Sequence, residues 1–125
     1  MEEVKTSATQ AASRFLSHRG YDVLETGWKS EAGTADIVAR DGDALVFARV
    51  NVRPGGFPAE GRGALDRWGR ERVALAYLAE HDVADVPIRF DDIDMAIVGT
   101  DRAMIRHHIN SMCADIPQRT LTEAA

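Results

Sequence analysis

The sequence predicts an α/β protein in which a mixed sheet is covered by helices. Two patterns carry this prediction. Apolar residues recur at helical spacing from Val4 to Arg19, and strict alternation runs from Asp43 to Arg53, where every second residue is apolar. With the segments around them they give the order helix, three strands, helix, strand and a last short strand.

The first helix is followed by Gly20, a residue typical of a left-handed C-cap. Extended runs then predict two strands, from Tyr21 to Trp28 and from Thr34 to Arg40. A Ser-Glu-Ala-Gly run separates these two strands and predicts a turn. The third strand is the alternating segment itself.

The connection between the second and third strands is predicted to be a two-residue loop, Asp41-Gly42. In that hairpin Arg40 would face Asp43. Stepping back along both strands places Asp36 and Arg49 on one face of the sheet, within reach of each other.

The second half of the chain begins with Pro54 to Gly63, which glycines and prolines predict to be a flexible surface loop. A second helix is predicted for Ala64 to His81, a strand for Ile88 to Val98 with an irregularity near Asp91, and a short strand for Met104 to Ile109. The apolar face of the second helix is predicted to comprise Leu65, Trp68, Leu75, Ala76 and Ala79.

The composition, with 125 residues of which 45% are hydrophobic, predicts one domain over residues 1–113 with a frayed polar tail over residues 114–125. An acidic start and the lack of a long apolar run predict a cytoplasmic protein without a membrane partner. Cys113 is the only cysteine, which excludes an internal disulfide, and the four histidines show no metal-ligand spacing.

A family resemblance is carried by two segments of the predicted hairpin. Residues 33–43 read Gly-Thr-Ala-Asp-Ile-Val-Ala-Arg-Asp-Gly-Asp, and residues 45–51 read Leu-Val-Phe-Ala-Arg-Val-Asn. They resemble the central hairpin of the YraN-like family, whose pattern reads Gly-Glu-Ile-Asp-Leu, then Phe-Val-Glu-Val-Lys. Further matches are Arg14-Phe15-Leu16, Gly20-Tyr21, Trp28-Lys29, Ala74 to Leu78, Arg89-Phe90-Asp91 and His107 to Asn110.

The resemblance implies a restriction-endonuclease-like sandwich of three layers. Nucleases of that fold use an Asp on one strand and a Glu-x-Lys on the next. Carboxylate oxygens hold Mg²⁺, and the lysine orients water or stabilises charge as the phosphodiester is attacked.

This sequence departs from the nuclease pattern at most of its positions. Asp36 matches the family's Asp, but Arg49 stands at the Glu position and Asn51 at the Lys position. Two further acidic positions of the family fall on Thr9 and Thr34. The resemblance therefore implies a degenerate nuclease that needs no cofactor, with Mg²⁺ required only if nuclease activity remains.

The remaining acid is expected to pair with Arg49, whose permanent charge would take over the role of the ion. The rival hypothesis is that Asp36 still helps to hold a metal with Glu31, Asp43 or Glu60. A second group of acids, Asp91, Asp92 and Asp94, is expected to face solvent, as charges in an alternating strand commonly do.

Phosphate contact is the hypothesis for a set of basic residues around the loop, the second helix and the sheet: Lys29, Arg53, Arg62, Arg67, Arg70 and Arg72. Acids interleave with this run, so a solvated helix face is the alternative. The net charge of −5 argues against a broad electropositive surface for duplex DNA, although a local patch remains open.

Among the other side chains that could bind a ligand, Trp28 and Trp68 are expected to pack in the core, and Phe57 to be exposed in the loop. His107-His108 is expected to be a pair at the end of a strand.

Three functions follow as hypotheses. The chain is expected to bind DNA or RNA without cutting it; the alternatives are a module that binds a protein partner or forms a homodimer, and a residual metal-dependent endonuclease.

Overall fold

The computed structural model describes residues 2–54, 64–83, 85–100 and 102–112. Its elements are α1 (Glu2–His18), β1 (Asp22–Ser30), β2 (Gly33–Asp41), β3 (Ala44–Pro54), α2 (Ala64–His81), β4 (Ile88–Val98) and β5 (Arg102–His108). Their order and type match the sequence prediction. The loop predicted from Pro54 to Gly63 lies outside the described residues except for Pro54, and so does the tail from Ala114 onward.

The five strands form one mixed sheet in the order β1-β2-β3-β4-β5. Neighbouring strands are antiparallel except β3 and β4, which run parallel because α2 carries the chain between them. Within the described part of the chain, neither helix is long and apolar enough to cross a membrane.

The alternation predicted for β3 divides the core into two. Val46, Ala48 and Val50 pack with α1, while Leu45 and Phe47 pack with α2. The helices supply the following buried side chains to these two cores: Ala8, Ala12 and Leu16 from α1, and Val73, Ala74 and Tyr77 from α2. The sheet is thus covered on both faces, which confirms the three-layer α/β architecture.

The end of α1 confirms the C-cap predicted at Gly20, which has a φ of +94°. Its N–H donates to the carbonyl of Ser17, and the N–H of Tyr21 donates to the carbonyl of Leu16, both at 3.0 Å. This pair of bonds is a Schellman motif, so the last carbonyls of α1 are satisfied as the chain turns into β1.

The hairpin between β2 and β3 differs from the prediction by one residue. Asp41 pairs with Ala44, so the loop is Gly42-Asp43 rather than Asp41-Gly42. Gly42 has a φ of +63°, and a glycine in the first loop position provides the backbone conformation that a tight hairpin needs. The corrected pairing ends at Ile37 and Ala48, so Asp36 lies just beyond the last pair.

The face that α2 buries also differs from the prediction. Trp68 and Leu75 are 59% and 65% exposed, and Ala79 is exposed as well, whereas Tyr77 is buried. Tyr77 contacts the rings of Trp28 and Phe47 edge-on, at centroid distances of 5.1 and 5.6 Å. This aromatic contact selects the opposite side of the helix from its larger apolar residues. Trp28 therefore packs as expected, Trp68 does not, and the side chain of Leu65 lies outside those described.

The irregularity predicted near Asp91 is absent from the pairing of β3 with β4, which runs without a shift from Leu45 and Ile88 to Pro54 and Ile97. The apolar pattern of β4 changes phase because both of its faces are buried over the middle of the strand.

Candidate functional site

The candidate site lies where β2 and β3 part. The ladder between them begins at Ile37 and Ala48. Beyond that pair the N–H of Val50 donates to Oδ2 of Asp36 at 2.9 Å. The Asp36 carboxylate therefore takes the place of a main-chain acceptor and is held against β3.

The same carboxylate binds a lysine from α1. Nζ of Lys5 lies 3.2 Å from Oδ2 of Asp36 and donates to the main-chain carbonyl of Val50 at 2.8 Å. The Asp36 side chain is 15% exposed and that of Lys5 is 44% exposed. The ammonium thus sits between a carboxylate and a carbonyl and still faces the solvent.

The ion pair expected between Asp36 and Arg49 is wrong. Arg49 binds Oδ1 of Asp66 in α2 at 2.5 Å and Oδ2 of Asp92 in β4 at 3.2 Å. The side chain of Arg49 points into the layer of α2, whereas the partner of Asp36 comes from α1. The Asp66 and Asp92 contacts raise the pKa of Arg49 even though its burial acts to lower it.

The acids of β4 do not face solvent as expected. Asp91, Asp92 and Asp94 are 0%, 2% and 5% exposed. Burial alone would raise the pKa of Asp92, but Arg70, at 2.6 Å, and Arg49 outweigh it and lower the pKa to about 2. The Asp92 carboxylate is therefore a buried anion that ties α2 to the sheet.

Asn51, at the position of the family's lysine, lies beside this anion. Its Nδ2 donates to Asp92 at 3.2 Å and to Asp94 at 2.9 Å. The sequence signal that could have found this arrangement is the need of a buried aspartate for a donor on the neighbouring strand, which Arg49 and Asn51 supply.

The two histidines end β5, as predicted, and both bind the acids of β4. Nε2 of His107 lies 2.8 Å from Asp91, and Nε2 of His108 lies 3.1 Å from Asp94. Asp91 also binds Arg89 at 3.0 Å. Burial would raise the pKa of Asp91, yet its hydrogen bonds to His107 and Arg89 lower it. These groups stabilise the sheet and line neither of the cavities described next.

Those of the basic residues predicted to bind phosphate that the structure describes do not form a single patch. Arg70 is largely buried, and its guanidinium binds Asp92 and donates to the carbonyls of Phe47 and Asp91. Arg72 is exposed, but its guanidinium lies over the Trp68 ring, 5.1 Å from the centroid. The other members of the set are scattered: Lys29 and Arg53 are exposed on β1 and β3, Arg67 is partly buried on α2, and Arg62 lies outside the described residues.

Two cavities of about 450 Å³ each meet at Lys5, and both are lined by Thr34 and Asp36 as well. We call their union the Lys5 groove. The arm towards α2 reaches Arg49, Asp66 and Arg70, and the arm towards β1 is lined further by Thr6, Thr9, Gln10, Thr26, Gly27 and Lys29.

Four of the five positions that the family resemblance singled out converge on this groove. Thr9, Thr34, Asp36 and Arg49 all line it, whereas Asn51 lines neither arm. Lys5 is the residue that sequence reasoning missed. It carries no motif and reaches the site only because α1 packs across the sheet.

The donor set does not fit the Mg²⁺ ion that the nuclease pattern would hold. Among the described residues no three His, Cys, Asp or Glu side chains are grouped to bind a metal. The acids proposed to help Asp36 do not reach it, since Glu31 and Asp43 line neither arm and Glu60 lies outside the described residues. Oδ2 of Asp36 already accepts a hydrogen bond from the Val50 N–H and forms an ion pair with Lys5.

Comparison with known proteins identifies the family of the chain. The model of the uncharacterised protein family UPF0102 matches residues 8–95. A UPF0102 protein of Beutenbergia cavernae is 34% identical over 101 residues, which are 78% of this chain and 86% of that protein. One of Roseiflexus castenholzii is 39% identical over 90 residues, 69% of this chain and 73% of its own. The chain therefore belongs to family UPF0102, the YraN-like family.

Proposed function

We propose that this chain binds a strand of DNA or RNA in the Lys5 groove without cutting it. The observation that carries the proposal is the composition of the arm towards β1. Lys5 and Lys29 line it together with Thr6, Thr9, Thr26 and Thr34, and Asp36, already bound to Lys5, is the only acid among its described lining residues. Ammonium and hydroxyl groups are the usual partners of phosphate oxygens.

Cleavage is not part of the proposal because the acids beside the groove are each already bound to a cation. Asp36 is bound to Lys5, and Asp66 and Asp92 are bound to Arg49. A hydrolytic nuclease site needs carboxylates free to hold a metal and a base or metal to activate water. Arg49 places a cation where one of those carboxylates would stand.

The test is fluorescence anisotropy with labelled single-stranded DNA and RNA at low salt in EDTA. We expect binding that weakens with added salt and falls severalfold in Lys29→Ser. Arg102→Ser is the matched control, because it removes one exposed cation from β5, at the opposite edge of the sheet. The proposal is wrong if neither nucleic acid binds at low salt, or if the two variants lose affinity equally.

The claim that binding is not followed by cutting has its own test. The same strands are incubated with Mg²⁺ or Mn²⁺, using wild type and Asp36→Ala. We expect no product from either protein above a no-protein blank. Product that wild type forms and Asp36→Ala does not would overturn this half of the proposal.

A second candidate function, self-assembly, is favoured by the outer face of α2. Trp68 and Leu75 are seven residues apart on one side of the helix and are 59% and 65% exposed. An exposed apolar stripe of this kind is a feature of interaction surfaces. Light scattering at rising concentration should then show an oligomer that the Trp68→Ser, Leu75→Ser double variant loses. A monomer at all concentrations would contradict this candidate.

A further inference from the structure

The geometry points to Lys5 as a built-in replacement for the divalent ion of the nuclease pattern. Its ammonium contacts the Asp36 carboxylate at 3.2 Å and the Val50 carbonyl at 2.8 Å. Carboxylate and main-chain carbonyl oxygens are ligands that hard divalent cations also use. A cation carried by the chain's own helix therefore occupies the point where these two oxygens meet. This inference does not depend on the proposed nucleic-acid binding.

The packing of α1 explains how the ammonium reaches that point. Ala8 and Ala12 are buried against the sheet, and Lys5 precedes them at helical spacing on the same side. Small side chains at these positions let the helix lie close to β2 and β3. The ammonium is thus delivered by the docking of the whole helix and not by a flexible loop.

The arrangement also balances charge locally. Asp36 is only 15% exposed, and without a cation the Val50 N–H would be the one hydrogen-bond donor to its carboxylate among the described residues. The sequence-based assignment gave this balancing role to Arg49, but Arg49 is engaged by Asp66 and Asp92. Lys5 is the residue that fills the role.

A site blocked by Lys5 and a site that has merely lost its ligands should respond differently when the nuclease residues are restored. Restoring the nuclease pattern with Arg49→Glu and Asn51→Lys should not by itself create a metal site, because Lys5 still holds Asp36. Adding Lys5→Ser should open it. The matched control adds Lys29→Ser to the same double variant, which removes an equal charge from the neighbouring arm of the groove.

The experiment is Mn²⁺ titration of the double variant and of the two triple variants, followed by water-proton relaxation. We expect the Lys5→Ser triple variant to bind Mn²⁺ at least tenfold more tightly than the other two. The inference is wrong if the double variant already binds as tightly as the Lys5→Ser triple variant. It is equally wrong if the two lysine replacements give the same gain, because the effect would then be one of general charge.

A second measurement covers the case in which the multiple variants do not fold. Single Lys5→Ser and Lys29→Ser variants are titrated with Mn²⁺ while the amide signal of Val50 is followed by NMR, because that N–H lies 2.9 Å from Asp36. Selective broadening in Lys5→Ser, removed by Asp36→Asn in the same chain, supports the inference. A Lys5→Ser protein with a folded spectrum and no more broadening than Lys29→Ser overturns it.

Discussion

At the scale of single residues, Asp92 carries the clearest energetic consequence. It accepts hydrogen bonds from Arg49, Asn51, Arg70 and Ser111 and is 2% exposed. Arg70 is itself mostly buried, so loss of the Asp92 charge leaves its guanidinium without the carboxylate it binds, in a low-dielectric environment. Asp92 also affects the groove, because the two arginines it binds, Arg49 and Arg70, line one of the groove's arms.

We therefore expect Asp92→Asn to lower the free energy of unfolding by about 3–5 kcal/mol. Urea denaturation at neutral pH measures the change. Asp22→Asn is the control, because Asp22 is exposed on β1, and surface changes of this kind stay within about 0.5 kcal/mol. Similar losses in the two variants would show that the Asp92 network contributes little.

The same carboxylate predicts an acid-dependent loss of stability. Its folded pKa of about 2 lies below the value of about 3.9 for an unfolded aspartate. A depressed folded pKa stabilises the protein above the unfolded value and ceases to do so as the pH falls through the folded value. Asp92 should thus contribute on the order of 2 kcal/mol above pH 4 or so, lost progressively towards pH 2.

Urea midpoints measured between pH 6 and pH 2 test this dependence. Wild type should lose stability more steeply over that range than Asp92→Asn, in which the titrating group is missing. Parallel curves for the two proteins would mean that the loss of stability at low pH comes from other carboxylates.

At the scale of elements, α2 has two apolar sides. It buries the side with Tyr77 and leaves the side with Leu75 exposed. Tyr77 is 4% exposed, whereas Leu75 is 65% exposed. We expect Tyr77→Ala to cost about 3–5 kcal/mol of unfolding free energy, as for other large aromatic truncations in cores. Leu75→Ala should change it by less than about 0.5 kcal/mol. Thermal and urea unfolding of the pair measure both values, and the reverse order would restore the face predicted from the sequence.

The sequence predicts the elements well because each has a local signature. Alternation in β3 and the glycine after α1 depend on neighbours only a few residues away. The face of α2 is not local, because Trp68 and Leu75 match the helical period as well as the buried side does. Contact between Tyr77 and the rings on β1 and β3 decides between the two sides, and no pattern within the helix records that contact.

The site is harder to predict than the fold for the same reason. The resemblance identifies Asp36, Arg49 and the threonines around them, and the structure does bring those positions to one groove. It does not identify their partners. Lys5 lies 31 residues before Asp36, which it binds, and Asp92 lies 43 residues after Arg49. Only the packing of both helices on the sheet brings these partners together.

At the scale of the whole molecule, a net charge of −5 is compatible with the proposed contact to phosphate because several of the acids are buried. Asp91, Asp92 and Asp94 are buried in β4, and Asp36 is mostly covered. In the arm towards β1, Lys5 and Lys29 are opposed among the described lining residues by Asp36 alone, while the rest of the acidic surface repels a long polyanion. Nucleic-acid contact should be confined to a short stretch of backbone.

This confinement predicts a shallow salt dependence for the proposed binding. Each phosphate neutralised on a single strand contributes about −0.7 to the slope of log affinity against log salt. Two lysines then give a slope of about −1.4, which Lys29→Ser should reduce to about −0.7. Anisotropy titrations over a range of NaCl concentrations measure both slopes. A slope steeper than about −3 would require a cationic surface well beyond the Lys5 groove, and an unchanged slope in Lys29→Ser would place the phosphate contacts elsewhere on the protein.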